Sequence, residues 1–344
     1  MAEADMKIII GKQQALRQIL IPLVTAPLLM GTQSVLAGEI IDESRDVDAN
    51  EVIDFEFLNG DITITGWDRN QVRLQGELSD QAQGFEFTSR NGVTKFEEEY
   101  ENRRGWFGRQ CNSWFDCSDE VDRTELEVSV PANSTLRLEG INVELEISGL
   151  NGNTQIEIVN GPINANNLTG RINIETVNGS IESSNLDGRI TLSTVNGRIR
   201  DRNSNGTRVA FSTVNGSIIS NTQADRVDAE SVSGSVELDL AAIDDLEASS
   251  VNGDLIISLE LMDNGRVELS SVSGYTELLV NPDISARFDL NTAVGGDIDN
   301  DLTDDNPRKE NRFVSSSELQ FSLNDGSGSV DISTVTGDIL VGKK

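Results

Sequence analysis

The chain has 344 residues, 58 acidic against 27 basic, for a net charge of −31, and it contains no histidine. An excess of this size repels phosphate backbones and anionic lipid headgroups, so nucleic acid is not an expected partner; solubility accounts for the acidity first and binding of divalent cations second. Without histidine, His-dependent triads, His-ligated zinc and His general bases are excluded.

Residues 1–37 read as a cleaved export signal. Lys7, Lys12 and Arg17 precede an apolar stretch from Ile19 to Leu29, and "SVLAGE" offers Val35 and Ala37 as the small-residue pattern before a cut after Ala37. The stretch is short and broken by proline, and no later stretch is apolar enough to span a bilayer, so no transmembrane segment is expected after cleavage. The expected location is the periplasm or cell surface of a bacterium, an oxidising compartment that fits two cysteines.

Residues 38–135 read as an irregular β cap at the N-terminal end. Ile53, Phe55, Leu58, Gly60 and Ile62 follow spacings that return later in the chain, and "VRLQGEL", "FEFTS" and "ELEVSV" are strand-like. Between them lies "RGWFGRQCNSWFDCSDE". Cys111 and Cys117 are expected to close a small disulfide loop worth less than about 3 kcal/mol. Trp106, Phe107, Trp114 and Phe115 either plug the open end of the core or form a contact loop for a glycan or protein partner.

From 136 to 298 the chain respells one phrase: "ETVNGSI" at 175, "STVNGRI" at 193, "STVNGSI" at 212, "ESVSGSV" at 230, "SSVNGDL" at 249 and "SSVSGYT" at 270. Counting from the first apolar position, apolar residues recur at 0, +2, +5 and +9, with glycine at +7. In one copy these are Ile172, Ile174, Val177, Gly179 and Ile181; in the next, Ile190, Leu192, Val195, Gly197 and Ile199. Early copies add leucine at +14, such as Leu186. A period of about 18 residues signals a solenoid. Alternating pairs such as "INIE" and "ITLS" are β-branched and end at Asn-Gly or Ser-Gly, which selects strand over helix. The expected fold is therefore all-β: a single-stranded parallel β-helix of about 18-residue coils, right-handed by analogy with other β-helices.

One coil buries too few aliphatic side chains to offset the entropy of ordering it, whereas stacked coils share one core and one hydrogen-bond ladder. Repetition is thus a structural requirement. The pairs Asn178 and Gly179, Asn196 and Gly197, Asn215 and Gly216, Ser233 and Gly234, and Asn252 and Gly253 are expected to turn corners, because Asn and Gly tolerate positive φ. Asn160, Asn178, Asn196, Asn215 and Asn252 would fall in register as an amide ladder. The hydroxyl column Thr176, Thr194, Thr213, Ser231, Ser250, Ser271 and Thr334 reads as a solvated sheet face.

Residues 299–318 read as an acidic loop. Asp297, Asp299 and Asp301 imitate the start of a calcium loop, but its sixth position is Leu302 and its twelfth Arg308, so only weak calcium binding is entertained and no cofactor is expected. Residues 319–344, with "STVTGDI" at 333, read as a terminal copy closing the stack.

"LEVSVPANSTLRLEG", "LEISGLNGNTQIEIVNGPINANNLTGRINIETVNGSI" and "VDISTVTGDI" together resemble the bacterial putative adhesin family classed as domain of unknown function 4097. The resemblance covers about residues 50 to 340 and implies a β-helix in an exported envelope protein, with no catalytic residues to carry over. The expected function is a non-enzymatic envelope protein, an adhesin or binding scaffold for an unknown glycan or envelope protein. The alternative is a polysaccharide lyase or hydrolase built on clustered Asp with Arg; fold alone does not decide between them.

Overall fold

A computed structural model describes residues 39–100, 123–311 and 315–344. Residues 1–37 and the segment holding Trp106, Phe107, Cys111, Trp114, Phe115 and Cys117 lie outside the described residues. Among the described residues every regular element is a β-strand. The period-two segments stack in parallel with like repeats in register: Ile172 on Ile190, Ile174 on Leu192 and Asn178 on Asn196.

One inward column runs Ile53, Leu136, Thr154, Ile172, Ile190, Val209, Val227, Leu246, Val267, Val330 and Phe288. A second runs Ile62, Leu145, Ile163, Ile181, Ile199, Ile218, Val236, Leu255, Thr276, Ile339 and Ile298. All are buried, and Leu150, Leu168 and Leu186 close the core from the third side. Like side chains interdigitate at the strand spacing of about 4.8 Å, while each backbone amide bonds to the neighbouring coil.

The stack begins earlier than the repeat pattern indicates. Strand Val52–Trp67 lies in parallel register under Thr135–Ser148, so the first coil sits inside the segment read as cap. Its other edge meets Val93–Tyr100 and Thr124–Pro131. Beyond these the pairing switches to antiparallel, with Ala82–Arg90 on Val93–Tyr100, Gln71–Glu77 on Thr124–Pro131, and Ile40–Asp46 on Gln71–Glu77. Phe55, Phe57, Phe85 and Phe96 fill this end with rings 5.3 to 6.1 Å apart. Reversing strand direction removes the parallel edge on which another coil could add.

The other end departs from expectation in the same physical sense. The terminal copy does not close the stack: Gly328–Thr334 lies between Leu255–Ser273 on one side and Ala286–Thr292 on the other. "FDLNTAVGGDI", which drifts out of phase along the sequence, is in spatial register, with Phe288 on Val330 and Ile298 on Ile339. Its extra residue is absorbed near Gly295, at φ 74°. The presumed acidic loop is also partly strand. Ser315–Leu323 runs antiparallel on Ala286–Thr292, Arg308–Asn311 runs antiparallel on it in turn, and Phe288 stacks on Phe321 at 4.6 Å.

Candidate functional site

In the repeated phrase the two faces are the reverse of those expected. Alternation continues unbroken through +4, so Thr176, Thr194, Thr213, Ser231, Ser250, Ser271 and Thr334 point inward and are 2 to 5% exposed. They are no solvated face. The valines at +5 point outward instead, and Val232, Val251, Val272 and Val335 are 39 to 44% exposed. The buried hydroxyls take part in the stack: Thr194 Oγ1 donates to the Gly179 carbonyl at 2.9 Å and Thr213 Oγ1 to that of Gly197 at 3.2 Å. Ser231 and Ser250 repeat the bond to Gly216 and Gly234.

At Gly197 and Gly216 the glycine is required by proximity and not by backbone freedom. A Cβ on Gly197 would sit 1.9 Å from the Gly179 carbonyl oxygen, and one on Gly216 1.8 Å from that of Gly197. Neither has positive φ, whereas Gly161, Gly234 and Gly274 at the same position do, at 132°, 149° and 132°; Asn178, Asn196, Asn215 and Asn252 do not, and Asn167, Asn185 and Asn203 are left-handed at a different corner. The asparagines of the phrase hydrogen-bond upward instead. Asn160 donates to Asn142, Asn178 to Asn160, Asn196 to Asn178 and Asn215 to Asn196, each at 2.8 Å. Ser233 and Asn252 continue the register, and Ser273 donates to Asn252 at 2.9 Å. In short form, the phrase means inward hydroxyl, outward valine, amide rung and no room for a side chain.

Asp297, Asp299 and Asp301 alternate outward and are exposed. Asp297 is ion-paired to Lys309. Among the described residues no three Asp, Glu or Cys side chains are placed to hold a metal ion, so the calcium set is not assembled. Asp299 and Asp301 act instead on Tyr275, whose hydroxyl is pushed above its ordinary value by desolvation and then by Glu277, Asp299, Asp338 and Asp301.

Three buried carboxyl groups escaped the sequence reading: Asp201, Glu98 and Glu51, the last accepting from Thr94 Oγ1 at 3.0 Å and Ser89 Oγ at 3.2 Å. Asp201 interrupts an otherwise apolar or small inward column of Ile147, Ala165, Ser183, Ser220 and Leu238. It accepts from Ser183 at 2.7 Å, Ser204 at 2.5 Å and Ser220 at 3.1 Å. Burial raises its pKa against these three bonds. Its signal was an acid at inward parity, two residues beyond Ile199. Glu98, at the N-terminal cap, accepts from Thr124 Oγ1 at 2.5 Å and Tyr100 Oη at 2.9 Å and is likewise raised by desolvation. All three are held by hydroxyl donors of the fold itself.

One shallow groove of about 390 Å³ is lined by Asp61, Thr63, Gln75, Gly76, Glu125, Leu126 and Glu127. The Arg123 guanidinium ties up Asp61 at 2.7 Å.

The family described as Toastrack DUF4097 matches residues 50–342. No curated protein matches the chain. Among solved structures, a putative adhesin from Bacteroides fragilis NCTC 9343 is 11% identical, covering 88% of this chain and 97% of its own, with a TM-score of 0.36. A putative cell adhesion protein from Clostridium sporogenes ATCC 15579 is 10% identical, covering 89% and 100%, with a TM-score of 0.21. A putative lipid binding protein from Parabacteroides distasonis ATCC 8503 is 11% identical, covering 90% and 99%, with a TM-score of 0.41.

Proposed function

We propose that this chain, which belongs to the Toastrack DUF4097 family, is a non-enzymatic protein exported to the bacterial envelope, where its solenoid serves as a binding scaffold. The observation that supports this reading best is the periodicity of the outer surface. Because coils stack in register, outward positions repeat their chemistry from rung to rung: Asp228, Glu247, Glu268, Asp331 and Asp289 form one column. A flat surface of repeated groups about 4.8 Å apart suits an extended partner held by many weak contacts rather than a small substrate enclosed in a cleft. The aromatic segment 106–117 is the second contact element of this reading, with Cys111 and Cys117 bridged.

The test is a binding screen against glycans and envelope extract, comparing wild type with Trp106→Ala/Trp114→Ala. Loss of binding in the variant supports the contact loop; unchanged binding assigns the aromatics to the end of the core. Fractionation checks the location, and a full-length chain left in the cytoplasm with residues 1–37 attached would overturn export.

A second reading, a polysaccharide-acting enzyme, draws on the groove that places Asp61, Glu125 and Glu127 beside Arg123. Its test is depolymerisation of acidic and neutral polysaccharides by wild type and Glu125→Gln.

A further inference from the structure

Residues 188–224 contain five arginines, Arg189, Arg198, Arg200, Arg202 and Arg208, and a single acidic residue, Asp201, in a chain with 58 acidic and 27 basic side chains. Asp201 is buried, so this stretch presents no carboxylate to solvent. Strand Ile199–Arg202 alternates strictly: Ile199 and Asp201 face the core while Arg200 and Arg202 face out, and Arg198 precedes them at the same parity. Three guanidinium groups thus line one rung of a flat face, with successive Cα atoms about 6.6 Å apart. Among the described residues, ion pairs engage Arg45, Arg73, Lys95, Arg123, Arg208, Arg266, Lys309 and Lys344, and none of these three.

The adjoining rung on the C-terminal side is uncharged, where the apolar Ile219 and the amide of Asn221 pair with Arg200 and Arg202. On the N-terminal side Ser184 pairs with Arg202, and Glu182 is the one exposed carboxylate in register, opposite Arg200. Directly behind the row, Ser183, Ser204 and Ser220 donate to Asp201, tying the rung to the coils on either side. This bracing holds the strand in place before any ligand arrives, which lowers the ordering cost of binding.

We infer that Arg198, Arg200 and Arg202 form a binding rung for a linear acidic polysaccharide, whose carboxylate or sulfate groups the guanidinium forks take up. The inference rests on the scaffold reading and gives it a ligand class and a place. Guanidinium pairs bidentately with planar carboxylates, and neighbouring hydroxyl and amide groups match sugar hydroxyls. What separates the competing polyanion is its sugar: a DNA backbone offers no free ring hydroxyls to Ser184 and Asn221, which flank Arg202 in register, whereas each unit of an acidic polysaccharide presents hydroxyls beside its carboxylate.

The experiment measures binding of polygalacturonate, neutral dextran and a single-stranded DNA oligonucleotide to the whole chain at low and high salt. Three proteins are compared: wild type, Arg198→Thr/Arg200→Thr/Arg202→Thr, and the equal-charge control Arg171→Thr/Arg189→Thr/Arg226→Thr. Wild type should bind polygalacturonate in a salt-dependent way and ignore dextran, the rung variant should lose at least about tenfold in affinity, and the control should stay within about threefold. An Arg198→Lys/Arg200→Lys/Arg202→Lys variant, which keeps charge and removes the fork, guards against a folding artefact and should fall between them. Equal loss in the control, no loss in the rung variant, or DNA bound as well as polygalacturonate would each overturn the inference. A wild type that binds envelope extract but no acidic polysaccharide would overturn it while leaving the scaffold reading intact.

Discussion

Replacing Gly197 with alanine tests the stacking directly. The new Cβ would lie 1.9 Å from the Gly179 carbonyl oxygen and 2.6 Å from its carbon, with Thr194 Oγ1 at 3.1 Å. Ordinary contact needs about 1.5 Å more, close to a third of the spacing of about 4.8 Å between coils. The obstructing oxygen cannot swing aside, because it belongs to backbone and accepts from Thr194. Overpacking of this kind costs about 1–3 kcal/mol, and loss of the hydroxyl bond adds about 0.5–1.5, so a destabilisation of about 1.5–4.5 kcal/mol is expected. Gly342→Ala is the control, since its Cβ would meet only the methyl ends of Leu279 at 3.2 Å and Leu340 at 3.6 Å and the Asp301 Cβ at 4.0 Å. Its effect should stay within about 0.5 kcal/mol. Chemical denaturation gives the magnitude, and hydrogen exchange should locate the loosening in the coils on either side of residue 197. An alanine variant as stable as wild type, with exchange unchanged there, would refute the account of why the phrase carries glycine.

Removing residues 326–344 takes out an internal rung, so strand Ala286–Thr292 and its antiparallel partners should lose protection against exchange and proteolysis while residues 136–260 keep theirs. Leu192→Ala should cost about 2–5 kcal/mol in denaturant melts, because its neighbours above and below are fixed by register. The raised pKa of Asp201 means that its protonated form is favoured in the fold: the stability tied to it is fully present below the unfolded value of about 3.9 and is lost as pH rises through the higher folded value. Asp201→Asn should therefore gain stability relative to wild type as pH climbs through that window, and a difference in melting temperature independent of pH would contradict this. Calcium addition or chelation should leave the melting temperature unchanged, since Asp297, Asp299 and Asp301 do not converge.

Much of the fold was legible because a solenoid's long-range contacts are copied from its local pattern. Once Ile172 is known to lie inward, translation by one coil places Ile190 and Val209 without further information. The legibility failed where translation fails. Reading the valine as core and the threonine as surface followed from setting the corner at Val-Asn-Gly. The strand in fact keeps its alternation through this position, and the hydroxyls of Thr194, Thr213, Ser231 and Ser250 are tolerable inside because each reaches a glycine carbonyl of a neighbouring coil, whereas Thr176 and Ser271 make no such bond. Arg198, Arg200 and Arg202 were visible as residues but not as a rung, since their significance depends on Asp201 being turned away from the surface.

The amino-acid sequence by itself determined that coils of about 18 residues stack in parallel, because side-chain parity and a fixed period leave one way to bury every copy's aliphatic residues together. Tertiary structure alone decided the order of the coils. The rung from Val330 to Ile339 displaces the later-expected end and seats itself beneath Phe288 and Ile298, a choice made by which edges remain open after the chain has doubled back, and no local pattern encodes an open edge.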